Sequence, residues 1–225
     1  MAFKYKDIVP WGRNYDEYVR MFALTEKDLK TRILGCGDGP ASFNYENNQR
    51  GGEVVSIDPL YQFSKQEIQN RINETYKDVL AQTRKNKEKF VWNRIKTVDE
   101  LGKIRMDAMS MFLESYDQGK QENKYIPASL PELPFRENTF DIALSSHFLF
   151  LYSDHLSLEF HKNAIREMLK VAAEARIFPL LDVNAKKSHY VDRIISDLPS
   201  FNFEIKIVDY EFQKNGNELM IITPK

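Results

Sequence analysis

The chain has 225 residues, 42% of them hydrophobic, enough for a sizeable core in one large domain or two small ones. Its 32 Lys plus Arg against 33 Asp plus Glu give a formal net charge of -1, and with no sustained basic block this disfavours binding driven by nucleic-acid phosphates or an anionic membrane. Mean hydropathy is -0.52, the most apolar stretch, SSHFLFLY, is too short to cross a bilayer, the N-terminal MAFKYKDIVPWGR lacks the apolar centre of a signal peptide, and a single cysteine, Cys36, excludes an internal disulfide and suits a reducing cytoplasm.

Residues 14 to 30 predict one or two short helices through the apolar stripe Tyr15, Tyr18, Val19, Phe22 and Leu24. A short strand, Arg32-Ile33-Leu34, then meets the glycine cluster Gly35-Cys36-Gly37-Asp38-Gly39-Pro40. A second apolar run, 53 to 57, ends at Asp58-Pro59. Strand, glycine turn, helix and strand are the opening of a parallel α/β sheet. From about Gln62 to Glu122 the pattern is helical and charged, without a proline. Ile68, Ile72, Tyr76, Val79 and Leu80 make one stripe there, and Met109, Phe112, Leu113 and Tyr116 another.

Strand signals resume at 124 to 126, before the turn ASLPELPF and a buried-strand run, 140 to 145. An amphipathic helix is predicted over 155 to 174, a strand over 175 to 181, a helix over about 186 to 198 and a strand over 203 to 208. Asn215-Gly216-Asn217 reads as a hairpin-like turn into a last strand antiparallel to its predecessor. The expected architecture is a Rossmann-like, doubly wound, mostly parallel seven-stranded α/β sheet with an antiparallel last strand. It occupies a single domain over 1–225, with an N-terminal helical segment at 1–30 and a helical insertion at 62–122.

Glycine suits the first turn because the chain must reverse there, with positive φ and close approach of a ligand to the backbone. A dinucleotide pyrophosphate needs free N–H donors at a helix N-terminus and no nearby anion. This turn offers the anion Asp38, and Pro40 has no N–H. It also lacks the Lys-Ser/Thr pair of a P-loop. A ligand without phosphate, bearing an ammonium and a sulfonium, suits it better, and S-adenosylmethionine is such a ligand. Asp58 ends the second strand beside the turn, where a carboxylate can accept both hydroxyls of an adenosine ribose. An Asp-Pro turn or a helix cap accounts for Asp58 equally well.

RILGCGDGPASF, VVSIDP, LPELPFRENTFDIALSSHFLFLY and REMLKVAAEARIFPLL together resemble the class I S-adenosylmethionine-dependent methyltransferases, of a bacterial type with no assigned substrate. Leu133-Pro134-Phe135 followed by Phe140-Asp141 is the most telling part. The resemblance implies that Gly35, Gly37 and Gly39 cradle the methionine part of the cofactor and that Asp58, followed by Pro59, holds the ribose; Leu60 or Tyr61 is then placed to cover one face of the adenine. It places Ser129 and Leu130 at the adenine, and Ser145, Ser146 and His147 beneath the sulfonium. The acid that the family carries near the end of the first strand is replaced here by Ile33 or Gly35, depending on register, and Asp38 is the candidate substitute. The acid that often meets the adenine amino group is replaced by Ser129.

Methyl transfer from a sulfonium is an in-line displacement in which alignment supplies much of the rate. A base is needed only where the nucleophile must lose a proton. His147 is the candidate base, with His155 and Tyr152 near it in sequence, and packing explains each of them too. Arg13 is a candidate partner for the cofactor carboxylate. The histidine spacings do not match a metal-binding helix, so no metal is expected. Cys36 reads as a small buried filler rather than a nucleophile. The expected activity is methyl transfer to a small molecule, without nucleic-acid or membrane partners. The competing expectation is a catalytically inactive cofactor-binding or interaction module on the same fold. A nucleotide-dependent oxidoreductase is disfavoured by Asp38 and Pro40.

Overall fold

The structure is a computed structural model that describes residues 9–225. Most of the N-terminal stretch read against a signal peptide lies outside the described residues. Helix α1 (Tyr15–Met21) opens with a capping box, in which Asn14 Oδ1 accepts from the Glu17 N–H and Glu17 Oε2 accepts from the Asn14 N–H. A 3-10 turn at Asp28–Lys30 leads into strand β1 (Arg32–Cys36). Helix α2 (Phe43–Gln49) and strand β2 (Glu53–Ile57) follow. The first strand runs two residues further than the apolar pattern suggests, so Gly35 and Cys36 belong to β1 and the turn proper begins at Gly37.

The predicted insertion is two helices, α3 (Lys65–Lys85) and α4 (Val98–Gln121). Ser64 caps α3 through a capping box with Glu67, and Thr97 caps α4. Between them the chain leaves helix over 90–97. Strands β3 (Tyr125–Ile126) and β4 (Phe140–Ser146), helix α5 (Leu158–Val171), strand β5 (Ala172–Phe178), helix α6 (Val191–Asp197) and strands β6 (Phe201–Ile207) and β7 (Glu218–Pro224) complete the chain.

Helix α5 passes straight into β5, three residues earlier than the sequence pattern suggests. Ala172-Ala173-Glu174 are good helix formers. The ladder from Phe140↔Ala172 to Ser146↔Phe178 overrides that preference, and Pro179, which has no N–H to give, follows its end.

The strands form one seven-stranded sheet in the order β3-β2-β1-β4-β5-β7-β6. Pairings from β3 to β5 are parallel, and β7 runs antiparallel between β5 and β6. The expected sheet and its antiparallel last strand are both present. Side chains alternate across it. Leu34, Ala143 and Ile177 pack with α5 and α6 on one face, while Ile33, Ile142 and Leu144 pack with α1 and α2 on the other. The insertion has its own apolar cluster, where Phe112 and Tyr116 of α4 meet Tyr61 and Tyr125 at the β3 edge. This anchors the insertion beside the C-terminal ends of β1, β2 and β4, where open α/β sheets bind ligands.

Candidate functional site

The glycine turn closes on a carboxylate. Gly37 lies at φ +71 and Gly39 at φ +53, the left-handed region that favours glycine. Asp38 folds back so that its Oδ2 would lie only 1.7 Å from a Cβ at Gly35. Any side chain at position 35 would displace it. The Asp38 carboxylate therefore occupies the place of the missing side chain at 35, one of the two positions at which the motif's acid is absent. Its Oδ1 accepts from Tyr18 Oη at 2.8 Å and its Oδ2 from Ser56 Oγ at 2.6 Å. Burial pushes the Asp38 pKa up to about 6, against the pull of these two hydroxyls and with a further push from Asp58.

Asp58 is a cap and a neighbour of the turn at once. Its Oδ1 accepts from the Leu60 N–H at 2.8 Å, capping a 3-10 turn at Pro59–Gln62, and its Oδ2 accepts from the Gly39 N–H at 2.9 Å. Burial raises its pKa, opposed by those two N–H groups. Tyr61 donates to Gly39 O at 2.8 Å and is fully buried, so Leu60 and not Tyr61 faces the cavity.

That cavity has a volume of about 680 Å³ and runs along the C-terminal edge of the sheet. Among the residues singled out from the sequence, Gly37, Asp38, Gly39, Asp58, Pro59 and Leu60 line it. So do Ser129, Leu130, Ser146, His147 and Arg13. Two do not. Gly35 lies under Asp38, and its contribution is the room it leaves for that carboxylate. Ser145 is fully buried, and its Oγ has no hydrogen-bond partner among the described residues. Strand alternation points it away from the side on which Ser146 lies.

His147 follows β4 at φ +52, a left-handed conformation that histidine tolerates better than most side chains. Its N–H donates to Phe178 O at 2.7 Å, and its Nδ1 lies 2.9 Å from Ser146 Oγ. Ser146 also faces the Tyr18 hydroxyl. A polar line thus runs from His147 through Ser146 and Tyr18 to Asp38. Burial, then Arg13 and Arg105, hold the His147 pKa well below its ordinary value, so the ring is neutral. When Nδ1 donates to Ser146, Nε2 carries the free lone pair. His161, a buried histidine, sits between Ser157 O and Leu149 O at 2.8 and 2.9 Å and takes no part in the cavity. Burial raises the Cys36 thiol well above its usual pKa, which suits filler rather than nucleophile.

Arg13 enters from the segment before α1, which packs on the turn through the Ser42 N–H donating to Arg13 O at 3.0 Å. Its Nη1 donates to Trp11 O at 3.3 Å, while its buried Nε has no partner among the described residues. Behind it Glu17 binds Arg105 of α4 and accepts from Tyr210 Oη at 2.7 Å. Sequence reasoning missed this group and also Ser56. The signals were a serine inside an apolar strand and, at 105, an arginine one turn before Met109 on the buried stripe of α4.

The mixed seven-stranded sheet is the Rossmann-like, doubly wound fold expected from the sequence. No protein-family model matches the chain. Two solved structures resemble it in architecture. Magnesium protoporphyrin IX methyltransferase from Synechocystis, with S-adenosylmethionine bound, is 11% identical, with 89% of this chain and 73% of that one covered and a TM-score of 0.45. The 1,6-didemethyltoxoflavin-N1-methyltransferase of Burkholderia thailandensis, with S-adenosylhomocysteine bound, is 11% identical, with coverages of 91% and 75% and a TM-score of 0.45. Neither likeness extends to sequence. In sequence the chain is 38% identical over 218 residues, 96% of either protein, to the uncharacterized protein MJ0045 of Methanocaldococcus jannaschii, and it belongs to that family.

Proposed function

We propose that the protein is an S-adenosylmethionine-dependent methyltransferase acting on a small molecule. The observation that carries this reading is the convergence of Asp38, Asp58, Arg13 and a neutral His147 on one cavity at the C-terminal edge of β1, β2 and β4. Two carboxylates and a guanidinium with an unused buried N–H match a ligand that carries an ammonium, a sulfonium and a carboxylate. The cofactor, when bound, supplies an electrophilic methyl group. In this reading Asp38 and the turn 37–39 hold the ammonium end, and Arg13 holds the carboxylate. Asp58 holds the ribose through the lone pairs left after its two backbone bonds. Leu60, Ser129 and Leu130 flank the adenine, Ser146 positions His147, and His147 receives a proton from the acceptor. The cavity charges support a small acceptor. Among the described residues, Arg13 and Arg71 line the cavity with Asp38, Asp58 and Glu67, with no cationic excess to hold a phosphate chain.

Thermal melts with S-adenosylmethionine, S-adenosylhomocysteine and NAD test the cofactor. A ligand at 100 times its dissociation constant stabilises by about 2.7 kcal/mol. A shift with the first two and none with NAD is expected; a shift with NAD alone rejects the reading. Asp58→Ala is expected to lower S-adenosylhomocysteine affinity at least tenfold by calorimetry. The same change costs about 1 kcal/mol of stability, because the Leu60 and Gly39 N–H groups lose their acceptor. Unchanged affinity sinks the ribose assignment.

A further inference from the structure

The cavity extends beyond the residues that the cofactor reading uses. Its far end is closed by Ile68 and Val79 of α3, Leu101 of α4, Phe90 from the link between them and Phe212 from the loop before β7. Phe90 and Phe212 are 122 positions apart, yet a short antiparallel bridge at Phe90↔Gln213 stitches their segments together. The Val91 N–H donates to Phe212 O at 2.7 Å, and the Lys214 N–H donates to Lys89 O at 2.9 Å. On this bridge the rings of Phe90 and Phe212 stack at 4.9 Å and 24°, with Trp92 edge-on to Phe212 at 5.4 Å.

The bridge and the ring stack tie the two segments of this wall together. Ile68, Val79, Leu101, Phe90 and Phe212 outnumber the polar Thr83 and Gln213 that line the cavity beside them, and the Thr83 hydroxyl is already given to Val79 O, so an apolar occupant is favoured. A planar ring is the shape that packs best against aromatic faces and edges. Toward the glycine turn the same cavity reaches His147, whose Nδ1 is engaged by Ser146 and whose Nε2 has no hydrogen-bond partner among the described residues. A neutral imidazole is useful only to a nucleophile that carries a proton. An aromatic hydroxyl, with a pKa of about 10, is a closer match to it than an aliphatic alcohol.

We propose that the lobe between Phe90, Phe212 and Val79 is the acceptor subsite and that it takes a compact aromatic molecule bearing a hydroxyl group, which is O-methylated. This inference rests on the methyltransferase reading. The hydroxyl oxygen bonds to the methyl carbon as the carbon–sulfur bond breaks and leaves its electron pair on sulfur. The hydroxyl proton passes to His147 Nε2 and from there to water.

The probe is 2-naphthol, titrated calorimetrically into the full chain with S-adenosylhomocysteine present. Binding is expected, weakened at least tenfold by Phe212→Ala and by the space-filling Val79→Phe, with S-adenosylhomocysteine affinity unchanged within twofold. With S-adenosylmethionine the expected product is 2-methoxynaphthalene. His147→Asn should slow its formation more than tenfold while both ligands still bind. Naphthol binding that ignores both lobe variants, or bound naphthol that is never methylated, overturns the acceptor assignment and leaves the cofactor reading standing. Absence of S-adenosylhomocysteine binding overturns the cofactor reading instead. Naphthol titrated alone then still tests the lobe, through its sensitivity to Phe212→Ala and Val79→Phe.

Discussion

Glu17→Gln is expected to lower the stability of the fold by about 3–5 kcal/mol, the range for removing one partner of a buried ion pair. Among the described residues, Glu17 is the only carboxylate set against Arg105, which is fully buried and whose Nε has no partner there. Arg13 adds a second guanidinium to the same pocket, pushed down in pKa by burial and then by Arg105. Neutralising Glu17 leaves two buried cations facing each other. Arg105→Met is milder, because Arg13 and Tyr210 still serve the carboxylate. The double variant should therefore lose less than the sum of the singles. Urea titrations in a double-mutant cycle measure that coupling. A Glu17→Gln cost under about 1 kcal/mol would show that the pair contributes nothing beyond a surface contact. The pH dependence has a definite sign. Burial raises the Glu17 pKa, but Arg105 outweighs it and holds it below 4.5. Its contribution is present above the unfolded value and lost as pH falls through the folded one.

The group matters to function because Glu17 ties three walls of the cavity together. It caps α1 behind Arg13, binds α4 of the insertion and accepts from Tyr210 in the loop that carries Phe212. These pairings were not legible in the sequence, although the place of Arg105 on a buried stripe was. Glu17 and Arg105 lie 88 positions apart, and Glu17 and Tyr210 lie 193 apart. Local pattern carries no record of such pairs. What was legible was local. The strand–turn–strand of 32 to 58, the two stripes of the insertion and the buried β4 run are local patterns, and each formed where it was read, with β1 two residues longer and β4 one. Boundaries slipped where tertiary pairing overruled propensity, as at Ala172. The glycine motif marked the turn but not its wiring. Which way Asp38 turns depends on Tyr18 and Ser56, and the second of these is one polar residue in an apolar strand.

Asp38→Asn is expected to weaken S-adenosylmethionine binding at least tenfold at pH 8 without lowering stability there. The wild-type carboxylate is expensive to the fold, since burial lifts its pKa from 3.8 to about 6. A shift of that size corresponds to roughly 3 kcal/mol between protonation states. The sign follows from the raised value. The folded protein holds a proton that the unfolded chain releases, so this contribution is full below about 3.8 and lost as pH rises through about 6. Asparagine removes that dependence, because it keeps an acceptor for Tyr18 without the buried charge. Ligand binding runs the opposite way. A cationic ligand needs the ionised carboxylate, so wild-type affinity should rise up to tenfold per pH unit below about 6 and level off above it. Calorimetry from pH 5 to 8 on both proteins separates the two effects. A wild-type curve that rises and an Asp38→Asn curve that stays flat mean that the fold tolerates an unfavourable buried charge because the cofactor uses it. Two superimposable curves mean that Asp38 only ties Tyr18 to β2, and that the positive end of the ligand is held elsewhere.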